Sequence, residues 1–226
     1  MAYMEREIGP FHKLWVTTSL LTAGVFFELL NRVTIRGKGN IPPGKGLLFV
    51  SNHVSHLDPV LIPYSLISKR SPELIWIPAK EELFRIPILG RMIVSYGGFS
   101  VRRNGRDLSA VRKILEVLTK ERVLIFPEGA RSIDGTLLPG NRMVGSLIYQ
   151  SRPVVIPTAI TGTERILPKG RFVPRLFSRI QVVFGPPLDL EDYYRRDRCK
   201  ETARLIIGRV MEAISELLNK TKSQKI

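Results

Sequence analysis

Five short, largely apolar runs recur along the chain: Gly46–Ser51, Leu74–Pro78, Arg122–Phe126, Pro153–Pro157 and Ile180–Phe184. Most of their residues are β-branched or aromatic, and several runs show no polar alternation, which is how strands covered on both faces read. Between them lie helical patterns. Leu108, Val111, Ile114, Leu115 and Leu118 trace one helical face, and Ile206, Ile207, Val210, Ile214, Leu217 and Leu218 trace another. Strand–helix alternation of this kind predicts an α/β fold with a mostly parallel central sheet flanked by helices. At 226 residues the chain is long enough for one such domain.

Ahead of this pattern stands a different segment. Leu14–Leu30 is the one strongly apolar run and holds a single charge, Glu28. As a helix it would be about 25 Å long, marginal against a hydrocarbon core of about 30 Å. A signal peptide fits poorly, because the leader mixes both charge signs. The expected organisation is therefore an N-terminal hydrophobic helical membrane-associating segment, 1–33, followed by an α/β domain, 34–226. A hydrophobic helix packed on the domain is the alternative.

Charge narrows the partners. Thirty-five basic against 20 acidic residues leave a net charge of +15, a field that seeks nucleic acid, an anionic membrane face or phosphorylated small molecules. Between Arg165 and Arg179, five basic residues are interleaved with Phe172, Leu176 and Phe177, a mixture suited to an anionic lipid surface or to a solvated basic loop. The single cysteine, Cys199, excludes an internal disulfide and a cysteine-based zinc site, and its polar surroundings do not suggest a nucleophile.

Two of the three histidines fall in Asn52-His53-Val-Ser55-His56-Leu-Asp58-Pro59, directly after a predicted strand, where open α/β sheets bind ligands. His53 and Asp58 would not share a face of a straight helix, but they can meet if His53 lies in the turn and Asp58 in the first helical turn. A carboxylate on one ring nitrogen fixes the tautomer and leaves the other nitrogen to take a proton from a hydroxyl. Two rival readings remain open. Ser55-x-x-Asp58 is a capping-box pattern, and His53-x-x-His56-x-Asp58 resembles metal-ligand spacing, as a metal-dependent hydrolase would need.

A second cluster, Phe126-Pro-Glu128-Gly129-Ala-Arg131-Ser132, also ends an apolar strand. Gly129 would let backbone N–H groups approach an anion, and Arg131 could grip a phosphate, although a Pro-Gly turn with a surface ion pair is the plainer reading. A third, Gly97–Arg103, closes another β-rich run with paired arginines, of which at most one should enter a site. Gly39–Gly46 imitates a P-loop without its Ser/Thr, and the chain has neither a G-x-S-x-G elbow nor a dinucleotide fingerprint.

Together these blocks resemble the glycerophospholipid acyltransferase family. Its N-H-x4-D block is met by Asn52, His53 and Asp58; its glycine-rich block by Gly97 to Arg103, with Arg103 at the family arginine; and its F-P-E-G-T-R-S block by Phe126 to Ser132. A weaker fourth block resembles Val155–Ile160, and Lys80 with its neighbours also looks like the family. The departures are Ser100, Arg102 and Ala130, where proline, aspartate and threonine are commoner. The resemblance implies transfer of a fatty acyl group from acyl-CoA or acyl-carrier protein to the free hydroxyl of a lysophospholipid, foremost 1-acylglycerol-3-phosphate. Glycerol-3-phosphate, another lysophospholipid or a lyso-ornithine lipid are further acceptors it allows. It implies His53 as base and Asp58 as its orienting partner. Arg103, Arg131 and Lys80 would hold the phosphate, with Gly129 and Glu128 in the binding loop. It requires no metal and no bound cofactor, and it places the enzyme on the cytoplasmic face of a membrane. A basic nucleic-acid-binding protein is the alternative from another class, although no aromatic-basic RNA signature or helix-turn-helix pattern stands out.

Overall fold

The computed structural model describes residues 10–66, 75–86, 90–91, 93–94, 97–101, 108–167 and 173–223. Seven strands form one sheet: β1 (Arg32–Arg36), β2 (Leu47–Ser51), β3 (Ile75–Lys80), β4 (Gly98–Val101), β5 (Arg122–Ile125), β6 (Val154–Thr161) and β7 (Arg179–Phe184). Their order is β1-β7-β6-β2-β5-β3-β4, and every neighbouring pair is parallel except β6–β7. The fold is thus α/β with a mostly parallel sheet, as the alternating pattern predicts.

Burial explains why the central strands carry no polar alternation. All five residues of β2 are buried. Leu48 and Val50 join one core with Val123, Ile125 and Val155, under α3 (Leu108–Leu118), α4 (Arg142–Ser151) and α5 (Lys200–Ser223). Leu47 and Phe49 join the other core with Leu124, Ile156, Ile180 and Phe184, under α2 (Asp58–Leu66) and Phe27. Two covered faces demand apolar residues at both parities of the strand.

Two prolines mark where the sequence reading stops short. The expected runs end at Pro78 and Pro157, yet β3 continues to Lys80 and β6 to Thr161. Pro157 lacks an N–H, but its carbonyl accepts the Gly185 amide at 2.8 Å. Beyond it β6 changes partner, pairing antiparallel with β7 from Thr158 to Thr161. A missing donor is tolerated where the ladder changes hands.

The N-terminal segment forms α1 (Pro10–Gly24) and a π-helical turn, Val25–Leu29. Among the described residues no helix is long and apolar enough to cross a membrane. The segment divides by exposure: Leu14, Leu21 and Leu29 are 64%, 67% and 73% exposed, whereas Phe27 is buried. Glu28, the lone charge of the run, accepts the Tyr64 hydroxyl of α2 at 2.7 Å. Burial and this bond push the Tyr64 hydroxyl up to about 12. The sheet begins at Arg32, so the expected boundary after residue 33 falls inside β1, an edge strand whose alternating RVTIR pattern exposes its arginines.

Candidate active site

β2, β5, β6 and β3 run in one direction, so the loops that follow them gather at one edge of the sheet. This is the edge at which ligands bind in open parallel sheets. Asn52 fixes the first loop. Its side chain donates to the Ile160 carbonyl at 2.9 Å and accepts the Ile160 amide at 2.8 Å, extending the β2–β6 ladder by one side-chain rung.

The next residue is His53, whose side chain is 14% exposed, and its Nδ1 lies 2.9 Å from Oδ2 of the fully buried Asp58. Asp58 opens α2, as the five-residue separation requires if the two are to meet. The same Oδ2 accepts the amides of Val54 and Ser55 at 2.7 and 2.8 Å, while Oδ1 accepts the Thr163 hydroxyl at 2.6 Å. Asp58 thus makes one half of the capping box, its carboxylate on the Ser55 amide, beside the dyad contact, whereas the Ser55 hydroxyl goes to the Leu167 carbonyl. With only donors around it, Oδ2 is an acceptor, and His53 Nδ1 must carry the proton in the neutral ring. The basic lone pair then sits on Nε2. Phe126 stacks on the imidazole with centroids 4.1 Å apart and planes 20° from parallel, which fixes the ring's tilt.

The second loop closes against the first. Glu128 accepts the His53 amide at 2.7 Å with one oxygen and the Leu138 amide at 2.9 Å with the other. Ser132 donates its amide to the His53 carbonyl at 2.9 Å. The Glu128 carboxyl is pushed up by burial, which the two amides partly oppose. The resemblance implied Glu128 in the binding loop for substrate; each of its oxygens accepts a backbone amide, so the carboxylate also ties the two loops together. Gly129 adopts φ of 67°, a left-handed conformation that suits glycine, and its own amide donates to the Phe126 carbonyl at 3.1 Å, which closes the turn.

Among the described residues two cations, Arg131 and Lys80, act on His56 beside this site. Arg131 has a buried Nη1 with no hydrogen-bond partner among the described residues, an arrangement that costs free energy unless an anion meets it. Lys80 stands exposed at the end of β3. His56 reports both: burial lowers its pKa first, and the charges of Arg131 and Lys80 lower it further. Arg103, with its neighbour Arg102, lies outside the described residues. Among those described, no group of three or more His, Cys, Asp or Glu side chains is arranged to hold a metal ion. Cys199 accepts the Thr202 amide through Sγ at 3.4 Å, next to the start of α5, a capping contact.

Sequence reasoning missed Thr163, which reaches Asp58 across 105 residues and stands in an ordinary-looking Thr-Gly-Thr-Glu stretch. It also missed that Phe126 would face the imidazole.

A family model described as Acyltransferase matches residues 32–161. The 1-acyl-sn-glycerol-3-phosphate acyltransferase of Limnanthes douglasii is 27% identical over 167 residues, covering 71% of this chain and 57% of that protein. The 1-acyl-sn-glycerol-3-phosphate acyltransferase alpha of Mus musculus is 27% identical over 166 residues, covering 71% and 56%. This chain thus spans somewhat more than half the length of these curated relatives. The crystal structure of the 1-acyl-sn-glycerophosphate (LPA) acyltransferase PlsC from Thermotoga maritima superposes with a TM-score of 0.66 at 25% identity, covering 94% of this chain and 85% of that one.

Proposed function

The chain belongs to the Acyltransferase family, and from that premise we propose that it moves a fatty acyl group from acyl-CoA or acyl-carrier protein to the free hydroxyl of 1-acylglycerol-3-phosphate, giving phosphatidate. The observation that carries this reading is the 2.9 Å contact between His53 Nδ1 and the buried Asp58. It orients Nε2 as a base and supplies a counter-charge for the imidazolium that forms when a proton is taken.

The thioester donor is already activated, so the chemistry needs a base and an anion grip more than a covalent nucleophile. His53 takes the hydroxyl proton as the acceptor oxygen forms its bond to the thioester carbonyl carbon. The tetrahedral intermediate collapses by breaking the C–S bond, and the imidazolium returns its proton to the leaving thiolate. Asp58, held by Val54, Ser55 and Thr163, keeps the ring in place throughout. Arg131 holds the acceptor phosphate through its unpartnered Nη1, with Lys80 and Arg103 as further cations of that grip. A base positioned this way contributes roughly 10²–10⁴ in rate. No metal or bound cofactor takes part in these steps.

Acceptor and product both reside in a bilayer. The exposed Leu14, Leu21 and Leu29 suit a segment that lies in the membrane interface instead of crossing it. Since β1 and β7 run opposite to β6, their N-terminal ends, with the π-turn ahead of β1, stand at the same sheet edge as His53. The site would thereby open toward the bilayer, on the cytoplasmic face where thioester donors are made. The test is a panel of labelled acyl-CoA and acyl-carrier protein donors against lysophosphatidate, glycerol-3-phosphate, other lysophospholipids and uncharged monoacylglycerol. Lysophosphatidate should be the best acceptor and monoacylglycerol poor; equal use of the two would remove the phosphate grip, and no transfer to any acceptor would remove the function.

A further inference from the structure

We propose that the cleft between Arg165, Phe177 and Arg179 is a second lipid site, distinct from the reaction centre, which binds the headgroup phosphate of an anionic bilayer phospholipid while the Phe177 ring enters the acyl region. The inference rests on the membrane-facing orientation proposed above and adds to it a named cleft.

The cleft has a volume of about 370 Å³ and is lined by Arg165, Phe177, Ser178 and Arg179. Phe177 is 81% exposed and holds φ at 61°, a left-handed conformation unusual for a bulky residue. Both features are unfavourable in water, yet its amide is fixed to the Leu30 carbonyl at 2.8 Å. Val173 and Leu176, 76% and 41% exposed, continue the apolar surface, and Leu29 of the π-turn next to that anchor is 73% exposed. An aromatic ring held outward on a pinned backbone, among other exposed apolar side chains, is suited to entering lipid.

The cations are positioned by the fold. Gly162, at φ 95°, brings the turn Thr163–Ile166 against β7 so closely that a Cβ there would meet the Arg179 carbonyl oxygen. Glu164 accepts the Gly162 amide with one oxygen at 2.7 Å and stands 3.7 Å from Arg165 Nε with the other. That contact engages the Nε side of the guanidinium. Arg179 is in register with Arg32 on the parallel neighbour β1, so two like charges stand on one side of the sheet edge. An anion between such groups removes the repulsion. The turn that carries Arg165 also carries Thr163 to Asp58, and its neighbour Leu167 accepts the Ser55 hydroxyl at 3.0 Å. Headgroup binding would therefore hold a turn that the catalytic loop shares.

Co-flotation of the full chain with vesicles tests the site. The vesicles are phosphatidylcholine alone, or phosphatidylcholine mixed with phosphatidylglycerol. For Arg165→Gln/Arg179→Gln, partitioning onto the mixed vesicles should fall about 30-fold, at about 1 kcal/mol per basic group near the surface, with little change on phosphatidylcholine alone. Phe177→Ala should weaken binding to both vesicle types about tenfold or more, and Phe177→Trp should retain it. Binding of either variant within twofold of wild type would overturn the inference. So would inorganic phosphate competing as well as lipid phosphate does, which would make the cleft a soluble-anion site. Transfer to detergent-dispersed lysophosphatidate should be unchanged in these variants, whereas failure of the acyltransferase reading would show as no transfer even in wild type.

Discussion

The loop Asn52–Asp58 and the segment Pro10–Leu29 lie at opposite extremes of the same molecule. In the loop, Asn52, Ser55 and Asp58 are almost wholly buried, and their polar groups bond to β6, to the turn after it and to one another. In the segment, Leu14, Leu21 and Leu29 face outward, and contact with the core runs through Phe27, with Ala23 and Phe26 beside it, and the Glu28–Tyr64 bond. Holding one imidazole nitrogen at a fixed point requires over-determination by many bonds. Meeting a fluid lipid surface requires exposed apolar area and no fixed partner. The end of the segment and the loop stand at one edge of the sheet, and they share one apolar core, to which Phe27 of the segment and Val54 of the loop both belong.

The sharpest way to break that contrast is within the loop. Asp58→Ala strands three N–H donors and the Thr163 hydroxyl, so it should destabilise the fold by about 3–5 kcal/mol and reduce turnover to near background; thermal unfolding and acyl-transfer assays read the two effects. Phe27→Ala is the comparison inside the arm. It should cost about 3–5 kcal/mol in thermal unfolding, because this one ring is core, and a small loss would mean that the arm does not share the core. Thr163→Val removes a single bond to Asp58 and should cost about 1–3 kcal/mol, with kcat falling while KM for the acceptor holds. An unchanged kcat would show that Thr163 serves stability alone. Leu21→Ser with Leu29→Ser should leave unfolding within about 0.5 kcal/mol while lowering vesicle flotation; a large drop in stability would erase the distinction between the regions.

The smallest expected effect is in pH. His56 has its proton affinity lowered in the folded state by burial and by Arg131, so the unfolded chain binds a proton that the folded chain resists. Its contribution is therefore retained above the usual histidine value of about 6.5 and lost as pH falls below it. Thermal unfolding of His56→Asn should decline less steeply than wild type below that pH, and parallel curves would remove His56 as a reporter of Arg131 and Lys80.

Much of this organisation is legible in the sequence where one physical demand acts alone. β2 and β5 read correctly because double burial leaves an uninterrupted apolar run, and α3 because its apolar residues keep helical spacing. β1 is hidden because an edge strand alternates arginine with β-branched residues and resembles a surface loop. The ends of β3 and β6 are hidden behind prolines that the sheet tolerates only through its particular pairings. In the site, His53 and Asp58 can be paired from their local spacing, since both belong to one turn. Thr163 cannot, because nothing near residue 163 records a carboxylate brought from 105 positions away. Nor does the charge of Glu128 reveal that its oxygens accept backbone amides, which only the folded loops present.

The proposed proton transfer is tested most directly by His53→Ala, assayed for labelled acyl transfer to lysophosphatidate beside its thermal unfolding. Turnover should fall by roughly 10²–10⁴ while the protein stays folded and still binds vesicles. A folded variant that turns over at the wild-type rate would mean that the imidazole on Asp58 is not the base.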